Sequence, residues 1–420
     1  MRITNFDGTV HLPGDAAFQQ AATPWNLAVR QPVLAVAEAA HAADVATLVR
    51  HAAEHGLTVT TQPSGHGASG DTEGTILLRT ARLDELSVDG RLARVGAGVK
   101  WGRVLEATSP LGLTGLAGST PAVNVTAYTL GGGLSWFSRA WGWAADSVRA
   151  FEIVDAEGAP RRVTADTDAD LFWALRGGGG DVAIVTALEF DLHPSPNLYG
   201  GRLLWPAERA PEVLAAFREV TAEAPDELTV WLDLLQFPGG APPFVALDST
   251  YLGPARAAKA LLAPFATIGG LISDSHAELP VHELGSIEQE PVDPSPGQSQ
   301  AELLPSLEQA HELLKEPIDP LLSVQIRHLG GALARPSDSA AGPLAEPYLL
   351  YMFGIPGAAD VEGRQIELAA AVKGTGRKPY TFLKPGETAA QAFSPAAHER
   401  LRAIKQARDP HGVFRANYPI

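Results

Sequence analysis

A histidine set between two glycines lies in the run Gln62-Pro63-Ser64-Gly65-His66-Gly67-Ala68-Ser69-Gly70, just after a short strand-like stretch from Leu57 to Thr61. Glycine has no Cβ, so main-chain N–H groups in such a loop can close on a pyrophosphate, and successive N–H groups form an anion-binding nest. An imidazole held there sits beside whatever the nest binds. The competing reading is a solvated loop histidine. Further glycine-rich turns fall at 115–118, 131–133 and 177–180. Each could be a tight turn between packed strands, and one long dinucleotide touching many backbone segments would explain them jointly.

Other motifs carry less. His51-Ala52-Ala53-Glu54-His55 has the H-x-x-E-H spacing of a zinc site,. It falls on the last turn of an amphipathic helix, where histidines favour the negative end of the dipole, and no third ligand presents itself. The reading is a solvated helix end, with no metal. Gly96-Ala97-Gly98-Val99-Lys100-Trp101-Gly102 joins a strand to a helix, but its spacing is G-x-G-x-x-x-G and no acidic ribose partner follows, which argues against a standard Rossmann unit,. No G-x-x-x-x-G-K-[ST] loop and no G-x-S-x-G elbow occurs, so NTPase and serine-hydrolase chemistries drop out,.

The elements that must hold the loop histidine are legible from periodicity. Apolar residues at 45, 48, 49 and 52 make one helix face, with Asp44 as the expected cap and Gly56 as the stop. Asp89-Gly90 predicts a hairpin, and a helix is expected from Trp101 to Ala107. After Pro194-Ser195-Pro196 the texture changes to a helix at 210–224 and strands at 228–236, 244–251, 322–329 and 348–355, with a helix at 395–407. Residues 285–305 are rich in Pro, Ser, Gln and Glu and read as an exposed loop or lid.

Composition sets the outer bounds. At about 150 residues per domain, 420 residues give two or three domains,. A formal charge of −16 repels phosphate backbones and anionic membranes, so no nucleic acid and no membrane partner is expected,. Cysteine is absent, which removes disulfides, thiolate nucleophiles and any cysteinyl cofactor linkage,. No leader or apolar span of about 18 residues is evident, so the expected location is cytoplasmic.

Taken in order, several segments of this chain resemble the FAD-binding module of the vanillyl-alcohol oxidase and p-cresol methylhydroxylase (PCMH-type) superfamily, in its berberine-bridge-enzyme-like branch. They are Pro63-Ser64-Gly65-His66-Gly67, Val95-Gly96-Ala97-Gly98, Leu116-Ala117-Gly118-Ser119-Thr120-Pro121, Thr129-Leu130-Gly131-Gly132-Gly133, Asp170-Leu171-Phe172-Trp173-Ala174-Leu175-Arg176-Gly177-Gly178-Gly179 and Val185-Thr186-Ala187-Leu188-Glu189-Phe190, with a closing motif from Asp409-Pro410 to Ile420. The resemblance implies FAD bound covalently through His66, and contacts from Pro63, Ser64, Gly65, Gly67, Ser69, Gly118, Ser119, Thr120, Val123, Tyr128, Gly131, Gly132, Val185, Asn417 and Tyr418.

The departures are informative. Many relatives place a second, cysteinyl tether where this chain has Thr120, so that tether is missing. Tyr128 stands where relatives often have a histidine, and Gly180-Asp181-Val182-Ala183 replaces a Gly-Asn-Phe-Gly. Val123, where the family tunes dioxygen access, is small. The strand Gln325-Ile326-Arg327-His328 resembles the family's active-site strand but bears no carboxylate, and alternation places Gln325 and Arg327 on one face. Tyr380 is a candidate base if Arg327 stabilises its phenolate; the alternative is a plain core tyrosine.

The expected fold is α+β, with a two-subdomain FAD-binding domain over 1–195, a substrate domain with a helix-covered antiparallel sheet over 196–378, and a C-terminal segment over 379–420 returning to the first. The expected function is oxidation of a C–H bond next to O or N of a small molecule by hydride transfer to the flavin, with dioxygen as acceptor. The alternatives are a dehydrogenase using another acceptor, or a same-fold flavoprotein that cyclises or isomerises without net redox. Substrate and oligomeric state stay open.

Overall fold

The structure is a computed structural model that describes residues 3–195, 197–357 and 359–420. Pro196, at the expected domain boundary, lies outside the described residues.

A four-stranded sheet opens the chain, with Ala35–Glu38, Thr75–Arg79 and Thr58–Thr61 parallel and Thr9–His11 antiparallel at one edge. Val36, Ala37, Ile76, Leu77 and Leu78 are all 0% exposed, as expected for parallel strands covered on both faces,. The helix Ala42–His55 lays Val45, Leu48, Val49 and Ala52 on this sheet and stops at Gly56, whose φ of +64° suits glycine,. Asp44 is not its cap. His41 occupies that position, and Asp44, one turn in, accepts from the N–H groups of Asp7 and Ala40 at 2.8 Å each.

A five-stranded antiparallel sheet follows, ordered Leu86–Asp89, Leu92–Gly96, Ile184–Asp191, Val148–Val154 and Pro160–Val163. The helix Trp101–Thr108 buries Trp101, Val104 and Leu105. The Asn124 amide clips this layer together. It donates to the carbonyls of Ala97 at 2.7 Å and Val99 at 3.0 Å while its oxygen caps the helix Val125–Leu130,.

An eight-stranded antiparallel sheet occupies the middle of the chain. Its long strands run in the order Tyr199–Pro206, Phe244–Tyr251, Leu228–Leu235, Ser323–His328, Tyr348–Gly354 and, at one edge, Gln298–Leu304. The helices Ala210–Ala222 and Val361–Val372 cover one face, and Val213, Phe217, Leu232, Ile326 and Met352 fill the space between. Register aligns the other face into two rows. Arg202, Asp248, Trp231 and Arg327 stand side by side in one, and Asp233, Gln325 and Tyr351 in the next.

The segment 285–305 differs from the loop read in the sequence. Gln298–Leu304 is an edge strand paired with Tyr348–Gly354, and Ile287 is 3% exposed. Glutamine and serine at 298–300 mask the strand because one of its faces is polar and half-buried. The chain end returns to the first sheet, where the Val59 N–H donates to the Val413 carbonyl at 2.7 Å and the Arg415 N–H to the Val59 carbonyl at 3.0 Å. Among the described residues no helix is long and apolar enough to cross a membrane.

Candidate active site

His66 lies in the loop that ends the strand Thr58–Thr61. Gly65 has a φ of +83°, and a Cβ there would fall 2.7 Å from the Pro24 side chain, so glycine lets the loop close on the 24–26 segment,. That segment carries Trp25, whose indole stacks on the imidazole with centroids 4.1 Å apart and an interplanar angle of 20°. Buried Arg79 fixes both sides of the pair. It donates to the Gln62 carbonyl at 2.9 Å, the Ala21 carbonyl at 3.0 Å and the Thr23 carbonyl at 2.8 Å. Burial holds the His66 pKa down to about 4, against the Ala122 main chain, which raises it,. The ring is therefore neutral at pH 7, with a lone pair free.

Pro63, Ser64, Gly67 and Ser69 share this loop. The neighbouring turn holds Gly118, Ser119, Thr120 and Val123, and the Thr120 hydroxyl takes the Ala122 N–H at 3.4 Å. Gly131 and Gly132 close the helix Val125–Leu130, and Val185 enters from the central strand of the five-stranded sheet. Tyr128 is buried and edge-on to Trp101, and burial raises its pKa. From the chain end, Asn417 accepts from the Gln62 amide at 2.6 Å, and the Asp181 carboxylate takes the Ala416 N–H at 2.8 Å and the Ile420 N–H at 3.2 Å. Asp181 thus anchors the tail that carries Asn417 and Tyr418.

Buried polar atoms are almost always hydrogen-bonded. In this cradle His66 Nε2, Trp25 Nε1, Gln62 Oε1 and Tyr128 Oη are buried without a protein partner. A polar ring system seated among them would supply those partners, so the residues present fit a flavin.

On the sheet, Arg327 donates from Nε to the Gln325 Oε1 at 2.9 Å and lies over the Trp231 ring at 3.9 Å and the Tyr351 ring at 5.0 Å,. Gln325 in turn donates to Glu288 at 2.6 Å and Asp233 at 3.2 Å. Asp248 holds Arg202 bidentately at 2.6 and 2.8 Å. Burial pushes Asp233 up to about 6. Burial and the adjacent Glu290 push Glu288 well above the carboxylate range.

Tyr380 is placed differently from the expectation. Its hydroxyl donates to the Tyr418 carbonyl at 2.8 Å, and burial with nearby Asp181 raises its pKa, the reverse of what a phenolate base needs. Arg327 stacks elsewhere and does not pair with it. A carboxyl from outside the strand Ser323–His328, that of Glu288, lies against it at Gln325. Trp25, Arg79, Glu288 and Glu290 were not legible as site residues, because each reaches the site from a distant segment.

One further arrangement has nucleophile-like spacing. Ser249 Oγ lies 2.7 Å from His276 Nε2, and His276 Nδ1 lies 2.8 Å from Asp274. Ser249 is 1% exposed, so its hydroxyl cannot meet a substrate, and the three residues clip the sheet edge,.

Residues 33–164 match the family described as FAD binding domain. Over 99% of this chain and 97% of the relative, the sequence is 26% identical to (R)-6-hydroxynicotine oxidase of Paenarthrobacter nicotinovorans. The chain thus carries an FAD-binding domain and is similar along its length to that oxidase. Its fold is that of the PCMH-type, berberine-bridge-enzyme-like branch. Physcomitrella patens BBE-like 1 superposes with a TM-score of 0.87 at 19% identity, covering 100% of this chain and 98% of that one. Against the FAD-dependent monooxygenase FUP4 of Fusarium proliferatum, identity is 35% over 46% of this chain and 39% of that protein, so the match spans about two fifths of that relative's length. The protein is an FAD-dependent oxidoreductase.

Proposed function

We propose that the protein is an oxidase carrying FAD on a single histidine, His66, and that it oxidises a C–H bond next to O or N of a small molecule, with dioxygen as acceptor. The observation that carries this reading is His66 itself: a neutral imidazole, fixed against Trp25, with a buried nitrogen that has no protein partner. Alkylation of an imidazole requires its unprotonated form, which burial maintains. Residues 1–195 with 379–420 would hold the cofactor, and 196–378 would present the substrate.

FAD supplies a hydride acceptor and, by reoxidation, peroxide. The chain's residues do the rest. Gly65, Gly67, Gly118 and Gly131 let main chain approach the cofactor, and the Tyr128 hydroxyl offers a donor beside the ring. Asn417 and Tyr418 close the cradle from the tail. Arg327, held flat between Trp231 and Tyr351, fixes a positive charge opposite the cradle, where it stabilises developing negative charge,. Thr120 has no thiol, so attachment is single. Val123 leaves room for dioxygen.

The similarity to (R)-6-hydroxynicotine oxidase makes cyclic amines the first class to test, with primary and secondary alcohols next. The test is a screen that follows bleaching of the flavin absorbance under nitrogen and peroxide release in air. Bleaching with peroxide supports an oxidase. Turnover of a substrate without oxygen uptake or bleaching would contradict it.

A further inference from the structure

Main-chain hydrogen bonds lay residues 24–26 along the loop of His66. The Trp25 N–H donates to the Ser64 carbonyl at 2.8 Å and the Asn26 N–H to the Gly65 carbonyl at 3.4 Å. The segment is also tied to the stretch before the edge strand Gln298–Leu304. The Ser295 N–H donates to the Trp25 carbonyl at 3.2 Å, the Leu27 N–H donates to the Ser295 carbonyl at 3.2 Å, and the Asn26 amide exchanges hydrogen bonds with Gly297 at 3.0 and 3.1 Å. Trp25 is therefore held through its main chain, and its place does not depend on the ring it carries.

What the ring does is narrower. A histidine side chain has several staggered wells at χ1 and a broad torsion at χ2, and each combination aims its nitrogens differently. In this loop the imidazole lies flat against the indole, with centroids 4.1 Å apart and planes 20° from parallel. Trp25 Nε1 and His66 Nε2 are both buried without a protein partner, so no hydrogen bond at either atom steers the pair. The indole face sets the plane of the imidazole.

We propose that Trp25 is a positioning residue for covalent attachment: its indole holds the His66 imidazole in the plane from which a ring nitrogen bonds to the 8α carbon of FAD, and FAD binds without its help. This rests on the single-histidine reading above. In that step the imidazole N–H and one C–H of the 8α-methyl group break and an N–C bond forms. The two protons and two electrons from the broken bonds leave the flavin reduced, and dioxygen then takes them as hydrogen peroxide. The bond forms only when the nitrogen lone pair points at the carbon, so a ring free to turn attaches slowly however tightly the cofactor binds.

The test needs no substrate. The full chain, expressed without flavin, is mixed with FAD in air and quenched in acid, and the mass of the intact polypeptide is followed over time. Varying the FAD concentration gives the limiting rate of attachment and the half-saturating concentration separately. Trp25→Phe keeps a flat face, while Trp25→Leu keeps apolar bulk without one. Trp25→Phe should attach within about threefold of the wild-type rate and Trp25→Leu about tenfold or more slower, with half-saturation in both within about threefold of wild type. Equal rates in the two variants, or slowing that only follows weaker FAD binding, would overturn the role of the indole while the wild type still attaches. A wild type that binds FAD and never gains its mass would overturn the single-histidine reading as well.

Discussion

The indole of Trp25 stacks on the imidazole of His66, with centroids 4.1 Å apart and planes inclined by 20°. The contact joins residues 41 positions apart, and Arg79 holds the main chain on both sides of it. A histidine packed in this way keeps one orientation. It presents a neutral nitrogen instead of a mobile, solvated cation, which is the difference between a ligand-bonding group and an ordinary loop residue.

Thr120 is 9% exposed in the turn beside His66. The resemblance puts a cysteine here in many relatives, and Thr120 has no thiolate to form that tether,. Thr120→Cys should install a second covalent tether, read as a flavin-bearing peptide containing residue 120 and as flavin retained in His66→Ala,Thr120→Cys. A peptide map with an unmodified thiol at 120 would place that residue away from the ring.

Asp181 anchors the tail through the N–H groups of Ala416 and Ile420 and lies 3.6 Å from the Lys405 ammonium. Asp181→Asn keeps one acceptor and turns the other into a donor facing an N–H, a loss of about 1–3 kcal/mol. Thermal unfolding should come several degrees lower, with reduced flavin content as Asn417 and Tyr418 loosen. An unchanged melting temperature would remove Asp181 from the anchor.

Tyr380 spends its proton on the Tyr418 carbonyl. Tyr380→Phe should cost about 1 kcal/mol of stability. It should leave anaerobic flavin reduction by an active substrate within about threefold of wild type. A drop of a hundredfold or more would restore Tyr380 as the proton acceptor.

Buried histidines give the protein an acid-side instability. His193, 2.9 Å from Ser147 and stacked on Trp141, is lowered by burial to about 4, and His328 to about 3. Their folded values lie below the unfolded 6.5, so the unfolded chain binds more protons as pH falls,. Their stabilisation is complete above pH 6.5 and fades toward pH 4. For His193 this amounts to at most about 3 kcal/mol. His193→Gln should flatten that part of the stability curve, measured by urea unfolding at several pH values. A slope equal to wild type would mean His193 is protonated as freely in the fold as outside it.

Much of the cradle could be read in the sequence because each of its parts is local. The strand-ending Gly65-His66-Gly67 loop, the Asp89-Gly90 hairpin and the stop at Gly56 depend on neighbours a few residues away. Alternation also put Gln325 and Arg327 on one face. Asp44 was misplaced because a buried N3 carboxylate and a cap look alike in sequence. Glu288 and Glu290 were hidden because loop composition reports polarity and says nothing of direction. The left-handed Gln289 turns the chain locally, and the strap through Ser295 and Gly297 ties the stretch to Trp25 and Asn26, more than 250 positions away.

The most direct test is the mass of the intact, denatured polypeptide, wild type beside His66→Ala. The account predicts one added FAD in the wild type and none in the variant, with yellow fluorescence following the wild-type band on a denaturing gel. A bare wild-type chain, or an added FAD that survives in His66→Ala, would contradict it.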